Sequence, residues 1–229
     1  MMDTISERYQ HVLSQIRHAT GIAGRPKNSV QLLAVSKTKP AGDIAVLYRL
    51  GQRHFAENYQ QEALLKQQAL AGFNITWHFI GPIQSNKTKA IAGQFSWVHS
   101  VDRLKIAQRL SEQRPAHLPP LNICLQVNIS EESSKAGVSL AELPELAAAI
   151  TVLPNLRLRG VMAIPEPNSQ YAQQRLPYRH LYQAVQDLHL AGLDSYSFGM
   201  SGDLKAAIME GATMVRIGTA LFGERDYRV

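Results

Sequence analysis

The chain has 229 residues, 45% of them hydrophobic and 18% charged, which is enough apolar material for one substantial core and ordinary for a globular protein. A lone cysteine, Cys124, excludes an internal disulfide, and its setting in the run LNICLQV reads as a small buried filler. The formal charge of +6 is scattered: its densest cluster, Lys87 and Lys89, has no interleaved aromatics, so the expectation is a solvated face and no nucleic-acid site.

The first segment reads as a helix. Thr4 and Glu7 form a capping-box pattern, and Ile5, Tyr9, Val12, Leu13 and Ile16 then recur at helical spacing until Gly21 and the Gly24-Arg25-Pro26 break. It lacks the basic segment and apolar stretch of a secretory signal, and the chain has no apolar run of spanning length. With the single cysteine, this points to a cytoplasmic protein with no membrane contact.

Eight strand candidates follow, at 30–36 (VQLLAVS), 53–57 (RHFAE), 76–80 (TWHFI), 96–99 (SWVH), 122–128 (NICLQVN), 158–163 (LRGVMA), 195–198 (SYSF) and 214–217 (MVRI). Helical stretches lie between them, among them 102–113, 140–151 and 170–190, and 165–177 (PEPNSQYAQQRLP) reads as a loop entering the last of these. Regular alternation implies parallel strands with helical crossovers. Eight units without reversal predict a single (β/α)8 TIM-type barrel preceded by an N-terminal helix, one domain over 1–229 with no linker. An open doubly wound sheet is the alternative, weakened because no G-x-G-x-x-G follows an early strand.

In such a barrel the chemistry sits where strands end. Lys37 closes the first run. Desolvation there favours a neutral amine, the form a Schiff base needs, while a lysine snorkelling to solvent is the bland reading. The turns after the last two strands carry Ser201 and the pair Gly218-Thr219, where barrels often hold phosphate. Ser201 could equally be an ordinary N-cap. Arg216 alternates with apolar neighbours, so it points into the barrel and contacts either a ligand or a carboxylate. Asn58 follows strand two. His78 sits between aromatics, and a core histidine and a cofactor contact both stay open. Lys135, in EESSKAG, is a second amine near the mouth or an exposed one. The eight histidines are dispersed and no zinc spacing occurs, so no metal is expected; G-x-S-x-G and Walker patterns are absent.

The blocks LLAVSKTKP (32–40), FAENYQQE (55–62), WHFIGPIQSNK (77–87), SFGMSGD (197–203) and VRIGTALFG (215–223) occur in one order over nearly the whole chain. Through them the chain resembles the pyridoxal phosphate homeostasis proteins, single-domain relatives of the N-terminal barrel of bacterial alanine racemase. The resemblance implies pyridoxal 5′-phosphate (PLP) held as a Schiff base on Lys37, with Ser201, Gly218 and Thr219 on the phosphate, Arg216 facing the pyridine nitrogen, and Asn58 lining the pocket. His78 is grouped with these cofactor contacts. One departure is Ala56, where the pattern has glycine.

An arginine opposite the ring nitrogen keeps it unprotonated and makes the ring a weak electron sink. Racemase relatives also take a catalytic tyrosine from a second domain, and the chain is expected to lack that domain because it ends at Val229, directly after the eighth unit. The resemblance therefore implies a monomeric carrier with no catalytic residue, which passes PLP to apo PLP-dependent enzymes by transimination, with Lys135 as a candidate helper in the exchange. The alternatives are a PLP-dependent amino-acid racemase of low activity with Lys37 as its lone base, and a Schiff-base enzyme acting on phosphosugars without PLP.

Overall fold

Thr4 opens the chain's first helix as the capping box predicts. Its hydroxyl accepts from the Glu7 amide at 3.2 Å and the Glu7 carboxylate accepts from the Thr4 amide at 2.7 Å, which satisfies two end donors at once. The computed structural model describes residues 4–130, 132 and 135–224. In it helix α1 (Ile5–Ile22) turns Tyr9, Val12, Ile16 and Ala19 inward. It precedes β1 (Gln31–Val35), α2 (Ala41–Arg49), β2 (His54–Glu57), α3 (Gln60–Ala69), β3 (Thr76–Phe79), α4 (Thr88–Gln94) and β4 (Trp97–Val101). The second half runs α5 (Leu104–Gln113), β5 (Leu121–Val127), α6 (Leu143–Thr151), β6 (Leu156–Ala163), α7 (Tyr171–Asp187), β7 (Ser195–Ser197), α8 (Leu204–Met209), β8 (Met214–Ile217) and α9 (Thr219–Phe222).

The strands pair in chain order, all parallel, and β8 closes onto β1 with Gln31 opposite Met214 and Leu33 opposite Arg216. This is the (β/α)8 barrel with its leading helix. Among the described residues no helix is long and apolar enough to cross a membrane.

Strand alternation sorts side chains into two cores. Outward residues such as Leu32, Phe55, Phe79, Val98 and Ile123 meet the helices and are fully or almost fully buried. Each such side chain contributes roughly 1.5–3 kcal/mol of burial. Inward residues Leu33, Val35, Ala56, Cys124, Met162 and Met214 plug the lumen. Ala56 belongs to this plug and is not among the residues with positive φ, so the methyl that departs from the family pattern sits without backbone strain.

Element edges moved where a local feature overrode the pattern. The helix expected over 140–151 begins at Leu143, with Pro144 in its first turn, because proline's fixed φ and missing N–H suit that place. The helix expected over 170–190 stops at Asp187, since His189 has φ 51°, which no right-handed helix continues. It also starts at Tyr171 and contains Pro177, so half of the expected 165–177 loop is helical.

Candidate functional site

A cavity of about 310 Å³ opens at the carboxyl end of the strands. From the first strands come Val35, Lys37, Lys39, Asn58 and Ile80; from the last come Ser201, Arg216, Gly218 and Thr219. Six of the seven residues expected at a cofactor thus share one cavity. The polar groups of this set are two amines, a guanidinium, an amide and hydroxyls.

Lys37 is half-buried, one residue past Ser36, and the chain on both sides of it is clamped from outside the barrel wall. The Ser36 hydroxyl donates to Glu57 Oε1 at 2.6 Å. Lys66 on α3 reaches in with Nζ 2.6 Å from the Ser36 carbonyl, 2.8 Å from Glu57 Oε1 and 2.6 Å from Glu62 Oε1. Glu62 in turn accepts from the Thr38 amide at 2.6 Å, holding Thr38 at φ 63°. Burial pushes the Glu57 carboxyl above its ordinary range, against the opposing pull of Lys66 and Ser36. Its Oε2 has no hydrogen-bond partner among the described residues.

Asn58 owes its place to Gly81. A Cβ at Gly81 would lie 1.9 Å from the Asn58 carbonyl oxygen, so only glycine lets the turn after β3 pack against this backbone. Asn58 Oδ1 is buried with no hydrogen-bond partner among the described residues. At the other side of the cavity the Gly218 backbone passes close to β1, where a Cβ would come within 3.3 Å of the Val35 carbonyl. The Ser201 turn is held by Asp203, which accepts from the Met200 amide at 2.7 Å and from the buried Tyr178 hydroxyl at 2.6 Å.

Arg216 is buried in the lumen, and its described hydrogen bonds go to neutral oxygens. Nη1 donates to the carbonyl and, at 2.9 Å, to the hydroxyl of Ser197, while Nη2 donates to the Ala163 carbonyl at 3.0 Å. Burial lowers its pKa, opposed by Tyr178 and Asp203. The carboxylate partner considered from sequence is not among these bonds.

His78 is the residue the structure does not bring to this cavity. It is opposite Ala56 on one side and Trp97 on the other, one inward position deeper than Ile80. There it bonds His54 and His99 at 3.0 and 2.9 Å and borders a different cavity at the opposite mouth. Period-2 counting along β3 puts His78 and Ile80 on one face two residues apart and does not say which of them reaches the cavity. Lys135 does not line the cavity either. It pairs with Glu132 at 2.5 Å, and its ammonium is 3.5 Å from the carbonyl of Ile164, which does line it. The sequence marked Glu57 only as a strand end and passed over Lys66, Glu62 and Tyr178, whose roles depend on contacts between elements.

A family model described as alanine racemase, N-terminal domain, matches residues 9–226. A Pseudomonas aeruginosa protein named pyridoxal phosphate homeostasis protein is 62% identical over 226 residues, covering 99% of this chain and 98% of that one. An Escherichia coli protein of the same name is 51% identical over 231 residues, covering 99% of each. The structure of PipY from Synechococcus elongatus with PLP bound superposes with a TM-score of 0.84 at 35% identity, covering 96% of this chain and 100% of that chain.

Proposed function

Because the chain belongs to the alanine racemase N-terminal domain family and, within it, to the pyridoxal phosphate homeostasis proteins, we propose that it binds PLP at Lys37 and keeps it available to apo PLP-dependent enzymes. The residues suit that group. Among the described residues Asn58 Oδ1 is a buried acceptor lacking a partner, Arg216 supplies a fixed donor, and no carboxylate lines the cavity to repel a phosphate. When bound, the cofactor supplies an aldehyde that forms a Schiff base with the Lys37 amine.

In this reading Ser201, Gly218 and Thr219 grip the phosphate, and Asn58 bounds the ring. Arg216 donates toward the ring nitrogen and so keeps a proton off it. Lys135, at the Ile164 rim, is the second amine for exchange. We read the chain as one domain acting as a monomer.

One observation carries the preference for a carrier over a racemase. Among the described lining residues, no aspartate, glutamate, histidine, tyrosine or cysteine is present; the amines of Lys37 and Lys39 are the only groups suited to proton transfer. The Lys39 ammonium is 2.6 Å from the Glu224 carbonyl. A two-base reaction needs a second positioned group, and among the described lining residues the one candidate beside Lys37 is the Lys39 amine, which is turned to the Glu224 carbonyl.

The test is an absorption spectrum of the purified protein, borohydride reduction, and mass mapping of the adduct. The expected result is a yellow protein whose reduced adduct maps to Lys37 and whose colour is lost in Lys37→Ala. An adduct on another residue would overturn the assignment. Steady turnover of L-alanine well above that of free PLP would overturn the carrier reading.

A further inference from the structure

A line of hydrogen bonds crosses the lumen from one barrel mouth to the other, and cofactor binding as described above uses only its last member. His54 Nδ1 is 3.0 Å from His78 Nε2, His78 Nδ1 is 2.9 Å from His99 Nε2, and His99 Nδ1 is 2.8 Å from Ser197 Oγ. Ser197 Oγ then meets Arg216 Nη1. His78, His99, Ser197 and Arg216 are all at most 4% exposed.

Donor inventory gives the line a direction. A guanidinium only donates, so Ser197 Oγ accepts from Arg216. A buried hydroxyl must still place its hydrogen, and among the described bonds the acceptor for it is His99 Nδ1. His99 is therefore the Nε2–H tautomer and donates to His78 Nδ1. His78 by the same logic donates from Nε2 to His54 Nδ1. His54 keeps its own Nε2–H for the far mouth, where it borders a cavity of about 210 Å³ with Trp97, Arg159 and Asp194.

An added proton on any of the three rings would set two hydrogens against each other at a junction. The charged surroundings oppose it as well. Arg216 stands at one end; around His54 are Arg159 with its partner Asp194, and Arg17, Arg25, Lys27 and Arg53 of the adjoining groove. Burial, with Arg216 adding to it, holds His99 down to about 3, and burial with the neighbouring rings holds His78 well below the usual range. Burial lowers His54 too.

We propose that His54, His78, His99 and Ser197 are positioning residues for Arg216, a one-way hydrogen-bond relay that fixes the guanidinium at the cavity and couples it to the opposite mouth of the barrel. The relay's use at the cavity rests on the PLP reading; the order of its hydrogens does not.

Long-range proton–nitrogen spectra of protein labelled with ¹⁵N-histidine test it, first without cofactor. The expected result is Nε2–H for all three rings and no titration between roughly pH 5.5 and 8. An Nδ1–H ring or a titrating one overturns the relay whether or not PLP binds. Next, PLP is added. Loading shifts the distant His54 nitrogens in the native protein and in Ser197→Thr, which keeps the hydroxyl, and leaves them unmoved in Ser197→Ala, which also binds PLP about tenfold more weakly. A native His54 signal indifferent to loading overturns the coupling. Failure of PLP to bind at all overturns the function proposed above, while the tautomer order is still read from the unloaded protein.

Discussion

Replacing Lys66 by methionine removes the ammonium that ties the chain on both sides of Lys37. The side chain is 7% exposed and Glu57 is fully buried, so the substitution leaves a carboxylate in the protein wall with only the Ser36 hydroxyl for company. Breaking a buried pair by deleting one partner costs about 3–5 kcal/mol. The lower end is expected, because Glu62 is partly exposed and water compensates it. For a chain of this size about 3 kcal/mol is a fall in Tm of roughly 6–12 °C.

The pH dependence separates this account from simple loss of packing. Glu57 already has a raised pKa in the fold, and without Lys66 it rises further. A carboxyl raised in this way carries no penalty below its unfolded value near ~4.3, and the penalty grows as pH rises through the folded value. Urea titrations followed by circular dichroism should give a deficit of about 3 kcal/mol near pH 8 that shrinks by about half or more near pH 5. The pair Lys66→Met/Glu57→Gln should regain at least half of the loss. A deficit flat with pH, or a double variant no better than the single one, would refute the reasoning.

Three further outcomes follow from the site's supports. Tyr178→Phe deletes the 2.6 Å bond to Asp203 and should lower stability by about 1.5–3 kcal/mol while weakening PLP affinity through the Ser201 turn; an unchanged melting temperature and affinity would contradict it. Gly81→Ala drives a methyl to 1.9 Å from the Asn58 carbonyl and should cost about 1–3 kcal/mol together with PLP affinity, whereas Gly72→Ala, with open space around it, should leave both as they are; calorimetry and spectral titration check the pair. Cys124 is fully buried, and burial pushes its thiol up to about 12, so a thiol reagent at pH 8 should label it only after denaturation; labelling of the native protein would show the lumen opens.

How much of this was legible beforehand divides along physical lines. Short apolar runs between helical patterns located all eight strands, because a parallel strand covered by the lumen plug on one face and the helix layer on the other reads as a near-continuous run. The positions after the strands located Lys37, Asn58, Ser201, Gly218 and Thr219, since in a closed parallel barrel every strand's carboxyl end opens on one mouth. Depth within the lumen was harder. His78 and Ile80 share a face and differ only by one step along the barrel axis, which is decided by the stagger between β2, β3 and β4, and a single strand's pattern does not carry that stagger. Nothing in the sequence around Lys66 marks it as buried; its burial follows from Glu57 and the Ser36 carbonyl, two strands' worth of chain brought under α3.

The two ends of the cavity are held by supports that never meet in the described structure. Lys37 is flanked by residues tied from outside the wall, through outward-facing Ser36 and Glu57 to α3, with charged groups in a half-dry interface. Arg216 is tied from inside, through Ser197 and three neutral rings, where a second charge would have no water to compensate it. The division follows from strand parity. Adjacent residues on a strand face opposite sides, so a barrel can place an ionic clamp behind one functional group and a neutral relay beneath the other without either entering the other's dielectric environment. That arrangement suits a site that must keep one amine reachable while one cation stays fixed.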